Sequence, residues 1–138
     1  MYSSDLAVAA PGSHDGDMRT DLDHLPSRKQ QELQGAMRIL FEEFAAAIGS
    51  TTAPWKKQGR ILKIILYGSH ARGDWVNDPV GGYKSDFDLL IVVNDERLTD
   101  IVDYWAATDD RLMRAMTITH TLSAPVSFIV HSLKDVNK

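Results

Sequence analysis

The chain has 138 residues, 25% charged and 43% apolar, with Trp, Tyr and Phe present and no cysteine, which excludes low-complexity tracts, a disulfide framework and thiolate metal sites. Its apolar runs are far shorter than the ~20 residues that span a bilayer, and no basic segment precedes an apolar one at the start, so no membrane partner and a cytoplasmic location are expected. The net charge of -4 resides in the first 23 residues, where five aspartates outnumber Arg19, and the balanced remainder offers no field for a polyanion, so nucleic acid is not expected as a partner.

Residues 1–24 mix Ala, Gly, Pro, Ser and Asp without a helical or strand period and are expected to form a flexible acidic tail before a single domain at 25–138. Ser27, followed three residues later by Gln30, has the form of a capping box. Leu33, Met37, Leu40, Phe41, Phe44 and Ile48 then recur at helical spacing until Gly49. Ser50 to Pro54 reads as a loop. The β-branched run Ile61–Tyr67 predicts a buried strand stopping at Gly68, and Phe87–Val93 predicts a second. Between them, residues 74–85 contain Asp78-Pro79 and Gly81-Gly82 and read as a loop. Residues 95–116 carry Leu98, Ile101, Val102, Trp105, Leu112 and Met116 at helical spacing, with a break expected near Thr108-Asp109-Asp110. Residues 125–131 predict a third strand. Ser132 and Asp135 then predict the cap of a helix that ends with the sequence, which reads as a cut before a further helical domain.

Two segments carry chemistry. In Tyr67-Gly68-Ser69-His70-Ala71-Arg72 an apolar strand gives way to residues that favour a helical turn. Free backbone N–H groups at such a turn, the Ser69 hydroxyl and the Arg72 charge suit phosphate oxygens, and Gly68 keeps a Cβ out of the way. Taken alone, these residues also read as a plain strand-to-helix turn. In Ser85-Asp86-Phe87-Asp88-Leu89 the strand period of two puts both carboxylates on one face, with Cα atoms roughly 6.6 Å apart. That span suits two hard cations about 3.5–4 Å apart, as used in phosphoryl and nucleotidyl transfer. Taken alone, the pair also reads as solvated acids at a strand start.

Together the two segments resemble the nucleotidyltransferase signature of the DNA polymerase beta superfamily, and more closely its minimal nucleotidyltransferase branch, whose members occur beside or fused to helical HEPN domains. The resemblance implies an α/β fold, a small mixed β-sheet flanked by helices. It also implies that Gly68, Ser69, Ser85 and, less directly, Arg72 contact a nucleoside triphosphate, with ATP the expected one. Asp86 and Asp88 would be the catalytic pair holding two Mg2+ ions, or Mn2+ in their place. The family's third carboxylate, expected on the next strand, is replaced by Ser127, and His131 shares that strand's parity as a substitute ligand or base. Trp75 and Tyr83, in the loop between the motif halves, are the candidates for stacking on a base. The implied reaction moves a nucleoside monophosphate from a triphosphate to a hydroxyl, on a protein among other acceptors. The alternatives are a weak or inactive nucleotide-binding, antitoxin-like module acting with a HEPN partner, and an aminoglycoside-type small-molecule transferase.

Overall fold

The computed structural model describes residues 6–9, 18–19, 22–78, 80–81, 83–100 and 102–136. In chain order these form β1 (Leu6–Ala9), β2 (Met18–Arg19), α1 (Ser27–Gly49), α2 (Pro54–Lys57), β3 (Ile61–Tyr67) and α3 (Gly68–Arg72). A two-strand hairpin follows, β4 (Asn77–Asp78) and β5 (Tyr83–Lys84), then β6 (Phe87–Val93), a 3-10 turn at Glu96–Asp100, α4 (Val102–Thr117), β7 (Val126–Ser132) and α5 (Leu133–Val136).

The apolar runs at β3 and β6 form the centre of the sheet. They pair antiparallel, with Ile64 opposite Ile91 and Tyr67 opposite Asp88. β7 adds to β6 in parallel and sets Ser127 opposite Asp88 and His131 opposite Val92. The resulting five-strand sheet has the order β2-β1-β3-β6-β7 and mixes parallel with antiparallel pairs. Alternation decides its inner face. Ile64, Leu66, Phe87, Leu89, Ile91 and Val93 are buried under α1 and α4, and Leu33, Met37, Leu40 and Phe44 of α1 complete the core. Phe44 meets Trp105 of α4 with ring centroids 5.8 Å apart.

Five expectations need correction, one being the plain loop read over 74–85, which holds the β4–β5 hairpin. A flexible tail over 1–24 does not hold for Leu6–Ala9, where Leu6, Ala7 and Val8 align with Ile64, Ile65 and Leu66, and Ala7 and Val8 are buried. Four apolar residues are too few to show a period, and the open edge of β3 orders them. The parts of that tail at 1–5, 10–17 and 20–21 lie outside the described residues.

The capping box at Ser27 does not form, because Pro26 occupies the cap position and the Gln30 side chain reaches past it to donate to the Leu25 carbonyl at 2.8 Å. The loop from Ser50 ends at Pro54, which starts the short α2. The helix expected over 95–116 divides before Val102, and α4 runs unbroken through Thr108, which is buried, to Thr117. Packing of Trp105, Leu112 and Ala115 against the core outweighs the modest helix propensity of Thr and Asp. The expected cap at β7 does form, with the Asp135 N–H donating to Ser132 Oγ at 3.2 Å.

Buried Glu32 ties α1 to the segment before β7. Its carboxylate accepts from the Ser123 N–H and from Ser123 Oγ, the latter at 3.1 Å, and pairs with Arg28 at 3.4 Å. Because that carboxylate is almost wholly buried, it needs these partners, and they fix where β7 begins. Among the described residues no helix is long and apolar enough to cross a membrane.

Candidate active site

The chain turns out of β3 at Gly68, where φ is +74°, a left-handed conformation that a residue with a Cβ adopts only at a cost. A Cβ at this position would overlap Asp88 Oδ2 and lie 3.1 Å from Asp88 Cγ. Gly68 is therefore required twice, by its backbone and by the carboxylate lying against it. α3 spans only five residues before Gly73, also left-handed at φ +90°, closes it with an N–H bond to the Ser69 carbonyl. So short a helix adds little dipole, and the positive charge beside the turn comes from side chains instead.

Asp86 and Asp88 flank Phe87, whose ring is fully buried, so both carboxylates emerge on the outer side of β6. Burial, and then the neighbouring Asp86 charge, push the Asp88 carboxyl above its ordinary range, with Arg72 opposing. Two carboxylates of like charge on one partly buried face are a site short of positive charge. Ser127, opposite Asp88 in the ladder, donates its hydroxyl to Asp86 Oδ2 at 2.6 Å. The position expected to hold a third acid thus supplies a hydrogen-bond donor to the first.

These residues line one open cleft of about 590 Å³, bounded by Gly68, Ser69, Arg72, Asp74, Val76, Lys84, Ser85, Asp86 and Asp88. Arg72 lies across its mouth, 3.3 Å from Asp74. Ser85 is buried and exchanges two bonds with Val76, its N–H donating to the Val76 carbonyl at 2.9 Å and its Oγ accepting from the Val76 N–H at 2.8 Å. It shapes the cleft wall with its backbone and hydroxyl already engaged. His131 is not brought to the cleft. It pairs with Val92, four residues beyond Ser127 and so about 13 Å along the strand. Parity put it on the correct face, but the rise per residue carries it too far away.

Two residues were missed by sequence reasoning. Lys84 reaches the cleft from the end of β5, two residues before Asp86 and so at the same parity as the aspartate pair, a spacing hidden by the reading of 74–85 as a plain loop. His70 is fully buried; its Nδ1–H donates to the Asp86 main-chain carbonyl at 2.9 Å, and its own carbonyl accepts from His24 Nε2 at 2.8 Å. Burial lowers its pKa, and its Nε2 has no partner, so the neutral ring works as a strut between the Gly68 turn and the aspartate strand. Trp75 stacks on this ring at 5.6 Å and is part of the core edge, not a free platform for a base. The Tyr83 side chain lies outside the described residues.

Among the described residues no cluster of three or more His, Asp or Glu forms a ready-made metal cage. The residues present nevertheless fit a hard cation that also takes phosphate oxygens: a carboxylate pair short of positive charge, against a glycine that leaves room, with Arg72 and Lys84 on the rim.

A mixed sheet thus presents a glycine-serine turn against an Asp-x-Asp strand. Residues 52–137 match the family model for polymerase beta, nucleotidyltransferase, and the chain belongs to that family. Over 51 residues it is 47% identical to a protein of Methanocaldococcus jannaschii provisionally named protein adenylyltransferase. That match covers 37% of this chain and 40% of the relative. No solved structure matches the chain significantly.

Proposed function

We propose that this domain transfers adenylate from ATP to a hydroxyl on a protein, releasing pyrophosphate. The observation that carries the reading is the packing of the Asp88 carboxylate against Gly68, which joins the turn suited to phosphates to the strand suited to metals. The relative's name supports a protein acceptor and adenylate. Asp86 and Asp88 would hold divalent magnesium, which on binding offsets the negative charge of the triphosphate and of the carboxylates.

In this reading Gly68 and Ser69 approach the triphosphate, while Arg72 and Lys84 attract its outer oxygens. An acceptor oxygen forms a bond to the α-phosphorus as the bond to the pyrophosphate oxygen breaks, and the hydroxyl proton leaves to solvent or a cleft carboxylate. Ser127 keeps Asp86 aimed across the cleft. Little covalent chemistry is asked of the protein, since such transfers depend chiefly on positioning and charge.

Ser127 also favours a second reading. With a hydroxyl where an acid is expected, the domain would bind nucleotide and transfer it slowly, acting with a HEPN-type helical partner. The aminoglycoside alternative lacks the support that the relative's name gives to a protein acceptor.

Calorimetry tests the shared premise. ATP is expected to bind in the presence of Mg2+ and to lose that dependence in Asp86→Asn and Asp88→Asn. Equal affinity in all three proteins, with or without Mg2+, would overturn the assignment.

A further inference from the structure

Lys84 borders two spaces at once. It lines the active cleft, and together with Lys29 of α1 it lines a second, small space that shares Ser85 and Val76 with the cleft wall. That second space measures about 10 Å³, no more than one water fills, so it has no room for an anion. Lys84 is exposed at the end of β5, and its long flexible stem lets the ammonium turn toward either side.

Lys29 has less freedom. It is half-buried, and its ammonium stands 5.1 Å from the ring centroid of Phe87 and 5.7 Å from that of Trp75. Phe87 is fully buried and Trp75 is stacked on His70, so both rings are themselves held in place. Ring faces of this kind attract an ammonium group where no carboxylate does. Because Phe87 lies between Asp86 and Asp88 in β6, the ring that anchors Lys29 belongs to the aspartate strand itself.

Neither Lys29 nor Lys84 forms an ion pair among the described residues. Glu32 attracts Lys29 from one turn further along α1, but its carboxylate oxygens are already engaged by Ser123 and Arg28. The two ammonium groups also feel each other. Burial lowers the Lys29 pKa, Glu32 raises it, and the Lys84 charge lowers it again.

We infer that Lys29 is a positioning residue for the triphosphate: anchored on Phe87 and Trp75, it turns the Lys84 ammonium away from the small space and into the cleft, toward the outer phosphates. Lys29 touches no phosphate and acts through Lys84. The inference rests on the proposed nucleotide reading of the cleft and adds a residue from α1, outside both motif segments. Repulsion between like charges reaches over several ångströms near a protein surface and is screened by salt, which gives the effect a signature that packing lacks.

The test measures, by calorimetry on the whole chain, binding of three probes: ATP·Mg2+, AMP, and inorganic pyrophosphate with Mg2+. Lys29→Met keeps an apolar stem over the rings and removes the charge, Lys29→Gln is a second neutral variant, and circular dichroism checks both folds. Each is expected to bind ATP·Mg2+ and pyrophosphate about threefold more weakly at low salt, with a smaller difference at high salt and with AMP binding unchanged. Lys29→Arg keeps both the charge and the ring contact and should recover most of the loss. In a Lys84→Met background, Lys29→Met should cost nothing further, because the group it acts through is gone.

Wild-type affinity for ATP·Mg2+ in both neutral variants overturns the inference. So does a parallel loss of AMP binding, or a Lys29→Met effect that persists undiminished in the Lys84→Met background. A wild type that binds pyrophosphate in a Lys29-dependent way but takes up no ATP would instead overturn adenylyl transfer and leave the lysine pair standing.

Discussion

Gly68→Ala isolates the geometry on which the active-site reading depends. At φ +74° an alanine costs about 1–2 kcal/mol of backbone strain. Its Cβ would also overlap Asp88 Oδ2, and since Asp88 is only half-buried its carboxylate can swing away at a further ~1 kcal/mol. The sum, about 2–3 kcal/mol, lowers Tm by roughly 8–12 °C in a domain of this size without abolishing folding. The displaced carboxylate no longer faces Asp86, so the stabilisation that ATP·Mg2+ confers should disappear; at a hundred times Kd it would be about 2.7 kcal/mol, or roughly 10 °C. Gly73→Ala is the matched control. Its φ is +90° but nothing lies within 4 Å of its Cβ, so strain is expected without loss of binding. Thermal melts with and without ATP·Mg2+ measure both quantities. A Gly68→Ala protein stabilised by ATP·Mg2+ as strongly as the Gly73→Ala protein would refute the reasoning.

Asp88→Asn should raise the Tm of the metal-free protein at neutral pH. The folded Asp88 has a raised pKa, so its contribution to stability is fully present below the ordinary carboxylate pKa and is lost as pH rises through the raised one. Melts in chelator across that window should slope downward in the wild type and less so in the variant; identical slopes would count against the shared-face arrangement.

His70→Phe keeps the ring stacked between Trp75 and Phe87 but removes the donor to Asp86, whereas His70→Asn can restore an N–H near the Nδ1 position. The strut account expects Mg2+ affinity to fall about fivefold in the first and to recover partly in the second, at one lost hydrogen bond of about 1 kcal/mol. Equal Mg2+ affinity in His70→Phe and wild type would remove His70 from the site. Ser127→Asp should add a third carboxylate beside Asp86 and raise nucleotidyl transfer by about 10²-fold or more if proton removal limits the rate. An unchanged rate, together with an unchanged melting response to Mg2+, would mean that residue 127 does not serve the reaction.

The sequence made the site's two halves legible because each is local. β3 and β6 are apolar runs bounded by polar residues, and strand parity alone put Asp86 and Asp88 on one face. Ser127 was singled out only through the resemblance, as the place of an expected third acid, and the ladder sets it opposite Asp88. What remained hidden depends on contacts distant along the chain. Leu6–Ala9 becomes a strand only against the edge of β3. His131 shows the limit of parity, which gives a face but no position along the strand. His70 occupies a motif position flanked by residues that read as phosphate ligands, yet its role comes from burial against Phe87 and a bond to a backbone carbonyl, neither of which leaves a local pattern.

The central claim is that the Asp86–Asp88 face transfers the α-phosphorus of ATP. It is tested most directly by incubating the protein and a hydroxyl-bearing protein acceptor with Mg2+ and ATP labelled at either the α- or the γ-phosphorus. Label from the α position should become covalently attached to the acceptor, label from the γ position should leave with pyrophosphate, and Asp86→Asn should attach neither. Attachment of the γ label, or equal α-label attachment by wild type and Asp86→Asn, would contradict the account.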